Sequence, residues 1–251
     1  MDLGLRDKIV LVTGSSRGAG QVTAATFAAE GARVVINYRG NPAGAAETAS
    51  MVEAAGGQAL VVQGDVTSRD SVESLVAAVA EKWGPIQVLV NNAVSFEAGA
   101  PLEEITDEGL AKMLDIVVRG AVVTAAACVP GMKAAGWGRI VNISSRSAIM
   151  GYEKTTHYAA AKSAIVGLTR TWAKELGPAG ILVNAIAPTV IMTPKMLETM
   201  PEKIQQGMAK RNPLRRLATQ DDIARVILYL GSDWNSYVNG EIITVGGGAM
   251  S

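Results

Sequence analysis

The chain has 251 residues, sets 23 basic side chains against 23 acidic ones, and is 49% hydrophobic but only 4% aromatic. That length suits one large domain, while zero formal charge and few stacking rings give no nucleic acid a reason to bind. Cys128 is the only cysteine and His157 the only histidine, so an intrachain disulfide is impossible and no metal site is expected.

The first eight residues lack the basic start and apolar run of a signal peptide. The most apolar stretch, 121–132, is too short to span a bilayer, so no membrane partner and a soluble, cytoplasmic protein are expected. Residues 8–12 form a short apolar run ending near a glycine, as a buried parallel strand does. Val22, Ala25, Phe27 and Ala28 then give a helical face that Gly31 closes. Residues 32–37 read as a second strand, and Pro42 opens a second helix that ends near Gly56. A third strand at 59–62 precedes a helix with Val72, Leu75, Val76 and Val79 on one face. After Pro85 come a strand at 88–90, a long helix at about 106–133, a strand at 139–143, a helix at about 157–176 and a strand at 181–186. Residues 188–213 show no strand pattern, and 189–213 read as a substrate lid. Thr219 and Asp222 have capping-box spacing at the start of another helix, and 242–245 is the last strand. Strands alternating with helices predict one α/β domain over 1–251: a doubly wound, seven-stranded parallel sheet with right-handed crossovers and ligands at the strands' carboxyl ends.

Between the first strand and first helix lies Thr13-Gly14-Ser15-Ser16-Arg17-Gly18-Ala19-Gly20. Gly14 suits a tight turn, Gly18 lets backbone amides approach a pyrophosphate, and Gly20 lets the helix pack close to the sheet. A site for NAD places a carboxylate after the second strand to hold the ribose 2′-hydroxyl. Asn37 occupies that position, followed by Tyr38 and Arg39, and no acid occurs between residues 31 and 46. With Arg17 in the turn, two guanidiniums and no carboxylate favour a 2′-phosphate, so NADP(H) is the expected cofactor.

Tyr158 and Lys162 stand four apart, on one face of a helix. A cation there, helped by an oxidised nicotinamide, is expected to lower the phenol's pKa from about 10 towards the working range. Ser145 ends the preceding strand region, 13 residues before Tyr158. His157 reads as a surface residue at the helix start.

The glycine spacing, the serine, the tyrosine and the lysine together resemble the short-chain dehydrogenase/reductase family, in particular 3-oxoacyl-acyl-carrier-protein reductases and related ketone reductases. The resemblance runs over essentially the whole chain and implies a Rossmann fold. It implies that Ser145 hydrogen-bonds the substrate oxygen, that Tyr158 passes a proton, and that Lys162 binds the nicotinamide ribose. It places Asp65, with Val66 beside it, at the adenine, and Asn91 and Ala93 of Asn91-Asn92-Ala93 near the cofactor ribose. Pro188, Ile191 and Thr193 fall in the segment that holds the carboxamide. The family's homotetramer is expected too, since the helices at 106–133 and 157–176 have apolar faces to spare.

Three positions depart from the pattern: Val94 and Thr189 replace glycines, and Val117 replaces an asparagine that helps hold a water behind the lysine. Valine has no side-chain donor or acceptor. The expected activity is reduction of a small carbonyl compound, or of an acyl group on a carrier protein, to a secondary alcohol. An NAD-dependent secondary-alcohol dehydrogenase and a low-turnover nucleotide sensor are the alternatives. A basic mouth for an acidic carrier could come from Lys195, Lys203, Lys210, Arg211, Arg215 and Arg216, diluted by Glu198 and Glu202. Met192, Met196, Leu197 and Met200 give the lid an adaptable apolar side that ordinary packing explains equally well.

Overall fold

The computed structural model describes residues 2–95, 99–193 and 198–249. The first half runs β1 (Ile9–Val12), α1 (Ala19–Ala29), β2 (Arg33–Tyr38), α2 (Pro42–Ala54), β3 (Gln58–Gln63), α3 (Arg69–Lys82) and β4 (Val88–Asn91). The second half runs α4 (Asp107–Leu114), a π-helical turn (Asp115–Arg119), α5 (Gly120–Ala135), β5 (Gly138–Ile143), α6 (Ser147–Met150), α7 (Thr156–Leu176), β6 (Ile181–Pro188), α8 (Glu202–Arg211), α9 (Gln220–Gly231) and β7 (Ile242–Val245). The strands form one seven-stranded sheet in the order β3-β2-β1-β4-β5-β6-β7, parallel throughout. The order reverses between β1 and β4, the point at which a doubly wound sheet opens a crevice for ligands.

Strand alternation explains the two-sided core. Val10 and Val12 pack with Phe27, Ile223 and Ile227 from α1 and α9, while Ile9 and Leu11 pack with Leu75, Val79 and Met132 from α3 and α5. Every residue of β1 and β4 is buried, as a central parallel strand requires. The predicted Thr219–Asp222 box is present: Thr219 Oγ1 accepts from Asp222 N at 3.2 Å, and Asp222 Oδ2 accepts from Thr219 N at 2.8 Å.

Three features differ from the sequence expectation. The long helix expected at about 106–133 is present from Asp107 to Ala135, ending on left-handed Gly136, but a π-helical turn that the sequence did not signal interrupts its middle. From Asp107 to Ala135 it is long and apolar enough to cross a membrane, yet half of its most apolar window is buried, and it packs against α3, α7, β4 and β5 as a core helix. The segment read as an irregular lid holds the ten-residue helix α8. His157 is buried at 4% exposure, with its Nδ1 lacking a partner, because the first turn of α7 is covered, not open to solvent.

Candidate active site

The glycine turn leaves β1 at the crevice and enters α1. Gly14 has φ +61°, and a methyl group added there would lie 2.9 Å from Ala93 Cα; one added at Gly20 would lie 2.8 Å from Ser15 Cα. Both positions therefore need glycine for close approach. Asn37 fixes the turn from beneath, with Oδ1 accepting from Gly14 N at 3.1 Å and Nδ2 donating to Gly64 O at 3.0 Å. Asn41 Nδ2 donates to Ser16 O at 3.1 Å, and Asn92 Nδ2 donates to Thr13 O at 2.8 Å. Backbone groups that helix and sheet leave open are thus satisfied by side-chain amides, of which Asn37 is buried.

Beside this turn lies a cleft of about 310 Å³. Of the residues expected at the cofactor, Gly14, Ser16, Arg17, Asn37, Tyr38, Arg39, Asp65, Val66 and Ala93 line it. Gly18, Ala19 and Gly20 carry the turn into α1. Asn37 is 2% exposed and its side chain is committed to the brace, so Tyr38 and Arg39 are the side chains at the end of β2 that remain to line the cleft. Arg39 faces Asp65 at 3.7 Å. Burial opposes ionisation of Asp65, but hydrogen bonds from Thr67 and the Arg39 charge outweigh it and hold the carboxyl below its usual range.

The cleft suits a dinucleotide. A methyl group on Gly18 would find open space, its nearest neighbour being Gln220 Nε2 at 3.9 Å. That amide is a buried donor with no acceptor among the described residues, and no acid stands in the first turn of α1. A pyrophosphate brings acceptors and negative charge to such a helix start.

A second cavity, of about 500 Å³, lies on the other side of the β5 and β6 ends. Ser145, Tyr158 and Pro188 line it, with Arg146, Tyr152, Thr189, Met208 and Arg211. Ser145 sits in the turn after β5, where its Oγ accepts from Ser147 N at 3.1 Å. Lys162 is buried one turn beyond Tyr158, its Nζ 5.7 Å from the phenol ring centre and donating to Ile143 O at 2.6 Å. Ser144 Oγ donates to Lys162 O at 2.8 Å, tying α7 to β5. A buried chain holds this end of the sheet: Thr124 Oγ1 donates to Asn91 Oδ1 (2.7 Å), Asn91 Nδ2 to Asn142 Oδ1 (2.8 Å), and Asn142 Nδ2 to Thr169 Oγ1 (3.0 Å). Asn91 therefore acts as a brace between α5 and α7.

The electrostatics around Tyr158 differ from the sequence expectation. Burial raises its pKa, with a hydrogen bond from Ser145 working against that, and Lys162 is not a resolved influence. Burial also pulls Lys162 down to about 8. Desolvation penalises both charged forms, and the ammonium hydrogen-bonds a main-chain carbonyl. A cavity of about 10 Å³ behind Lys162 is lined by Asn91, Val117, Gly120 and Ile165 among others, and Val117 packs with Met113, Ala161 and Ile165.

Ile191 forms an isolated bridge to Ala218, Met192 N donates to Ala218 O at 2.9 Å, and Thr193 follows at the edge of the described residues. The proposed basic set is only partly free. Arg216 is paired with Asp222 and Arg215 donates to Lys210 O, whereas Lys203 and Lys210 are exposed. Lys195, Met196 and Leu197 lie outside the described residues. Sequence reasoning missed Gly40, Asn41, Gly64, Ser95 and Ile116 at the cleft, and Arg146, Tyr152 and Met208 at the second cavity. Only Arg146 carried a readable signal: a charged residue placed directly after Ser145.

The family model described as enoyl-(acyl carrier protein) reductase matches residues 14–250. The chain is 38% identical over 249 residues to the 3-oxoacyl-[acyl-carrier-protein] reductase FabG of Thermotoga maritima, covering 98% of this chain and 99% of that protein. It is 39% identical over 252 residues to the L-rhamnose 1-dehydrogenase (NAD(P)(+)) of Azotobacter vinelandii, covering 97% of each. The crystal structure of levodione reductase superposes with a TM-score of 0.91 at 34% identity, covering 97% of this chain and 98% of that one.

Proposed function

This chain belongs to the short-chain dehydrogenase/reductase family, and from that premise we propose that it is an NADP(H)-dependent reductase converting a ketone or β-ketoacyl group to a secondary alcohol. The observation that carries the reading is that Ser145 and Tyr158 line one cavity, with Lys162 buried one helical turn behind the phenol. The bound nicotinamide supplies the hydride. Ser145 Oγ donates a hydrogen bond to the substrate oxygen and orients it; Tyr158 Oη passes its proton to the same oxygen as the alcohol forms. Lys162, whose pKa of about 8 leaves it mainly protonated at neutral pH, favours the tyrosinate that remains.

Arg17 and Arg39 at the cleft support the choice of NADP(H). The sole carboxylate lining the cleft among the described residues, Asp65, is matched by Arg39. NADPH and NADH oxidation over a panel of ketones, β-ketoacyl thioesters and sugars tests the reading. Preference for NADPH is expected, falling about 100-fold in the Arg17→Met/Arg39→Met double variant. Equal use of NADH by the unaltered enzyme overturns the cofactor choice. A soluble, cytoplasmic homotetramer belongs to the same proposal, supported by Leu114, Val118 and Val122, which line a surface groove beside α3. Sedimentation at working concentration checks the assembly.

A further inference from the structure

The second cavity contains a charge that the reduction itself does not require. Arg146 follows Ser145 directly, lines the same cavity, and is only 8% exposed. Its backbone is fixed: the N–H donates to Pro188 O at 3.0 Å, and the carbonyl accepts from Ile149 and Met150 at the start of α6. Among the described residues its guanidinium has no hydrogen bond and no ion pair. It is not sealed in either, because the buried side-chain nitrogens without partners belong to His157 and Gln220 alone. A residue that is nine-tenths covered, with an unpartnered guanidinium that is not fully enclosed, reaches solvent through the cavity it lines. Guanidinium stays charged at every working pH, and holding it out of bulk water without a counter-charge is costly. Among the described residues no carboxylate lines this cavity, while the exposed Arg211 stands at its edge and adds positive potential.

We propose that the substrate carries a carboxylate within one side chain's reach of its reacting carbonyl, and that Arg146 binds it. This deepens the proposed function and rests on Ser145 and Tyr158 facing the reacting group. The substrate class is then a keto acid, reduced to a hydroxy acid. Hydride adds to the carbonyl carbon, the Tyr158 proton goes to its oxygen, the C=O π bond is replaced by C–H and O–H, and the carboxylate is unchanged. One planar guanidinium matches a planar monoanion through two parallel hydrogen bonds, and the apolar share of the wall (Tyr152, Val190, Met208, Leu217) suits the carbon skeleton between the two groups. A phosphate dianion would call for several converging donors, and a neutral ketone would leave Arg146 unpaired.

The test compares 3- and 4-oxocyclohexanecarboxylate with their methyl esters and with the matching phosphonates, using NADPH oxidation. The acid is expected to exceed its ester about 100-fold in kcat/KM, chiefly through KM. Arg146→Met should collapse that acid-to-ester ratio to near one, and Arg146→Lys should keep about a tenth of it, with melting temperatures checking that both variants fold. Equal rates for acid and ester, or an Arg146→Met defect that falls equally on both, overturn the proposal, and preference for the phosphonate overturns the carboxylate. Calorimetric titration with unreactive cyclohexanecarboxylate separates this from the reductase reading. Binding lost in Arg146→Met upholds the anion site even if no ketone is turned over, and no binding to the unaltered protein overturns it.

Discussion

The cleft beside the glycine turn and the cavity beside Tyr158 are built in opposite ways. At the cleft and the turn beside it, the side-chain amides and the carboxylate are already committed: Asn37 to Gly14 and Gly64, Asn41 to Ser16, Asn92 to Thr13, Asp65 to Thr67. They shape the backbone at the point where a doubly wound sheet of this kind takes a dinucleotide. At the cavity, the Arg146 guanidinium has no partner among the described residues, and Arg211 and Tyr152 stand at its rim, exposed. Side chains without such commitments can be altered without undoing the fold, which is why the proposed substrate selectivity is assigned to this wall.

The largest test of the contrast is Tyr158→Phe. Turnover of any ketone should fall at least about 1,000-fold, while NADPH affinity measured by fluorescence titration stays within about threefold, because the phenol belongs to the cavity and not to the nucleotide cleft. Substantial residual reduction would remove Tyr158 from the proton-donor role.

Lys162 joins the two regions and provides a pH test. Its pKa is about 8 in the fold against 10.5 for the free side chain, so between those values the unfolded chain holds a proton that the folded one has released. Its contribution to stability therefore rises with pH across that window, by a total of about 3 kcal/mol, and is unfavourable below it. Chemical denaturation at pH 7 and pH 10 should show that Lys162→Met is no less stable than the unaltered protein at pH 7 and lacks this rise. Equal pH slopes in both proteins would contradict the burial of a charged ammonium.

The smallest effect distinguishes a brace from a recognition residue. Asn37→Asp places a carboxylate where the sequence argument expects an NAD-specific acid. It cannot donate to Gly64 O, however, and would set two acceptors against each other in a buried site. A stability loss of about 2 kcal/mol in urea is expected, with no gain in NADH affinity. Tighter NADH binding without a stability loss would return Asn37 to the recognition role.

The order of strands and helices, the Thr219–Asp222 cap and the glycine turn were all readable because each depends on neighbours within a few residues: periodicity, capping and a tight turn are local. The spacing of Ser145, Tyr158 and Lys162 was readable for a similar reason, since one helix and the strand end before it set their positions. What a polar side chain does is not local. Asn37 became a brace because Gly64 arrives from the end of β3, and Asn91 because Thr124, Asn142 and Thr169 converge from two helices and a strand. His157 was buried by elements packed over the start of α7. Arg146 was visible in the chain as one more arginine; its enclosure without a counter-charge exists only once β5, β6 and α8 wall off the cavity. Sequence by itself determined the scaffold and the spacing of the proposed reacting trio, whereas tertiary structure alone decided which charges are paired, because pairing and desolvation depend on residues that only folding brings together.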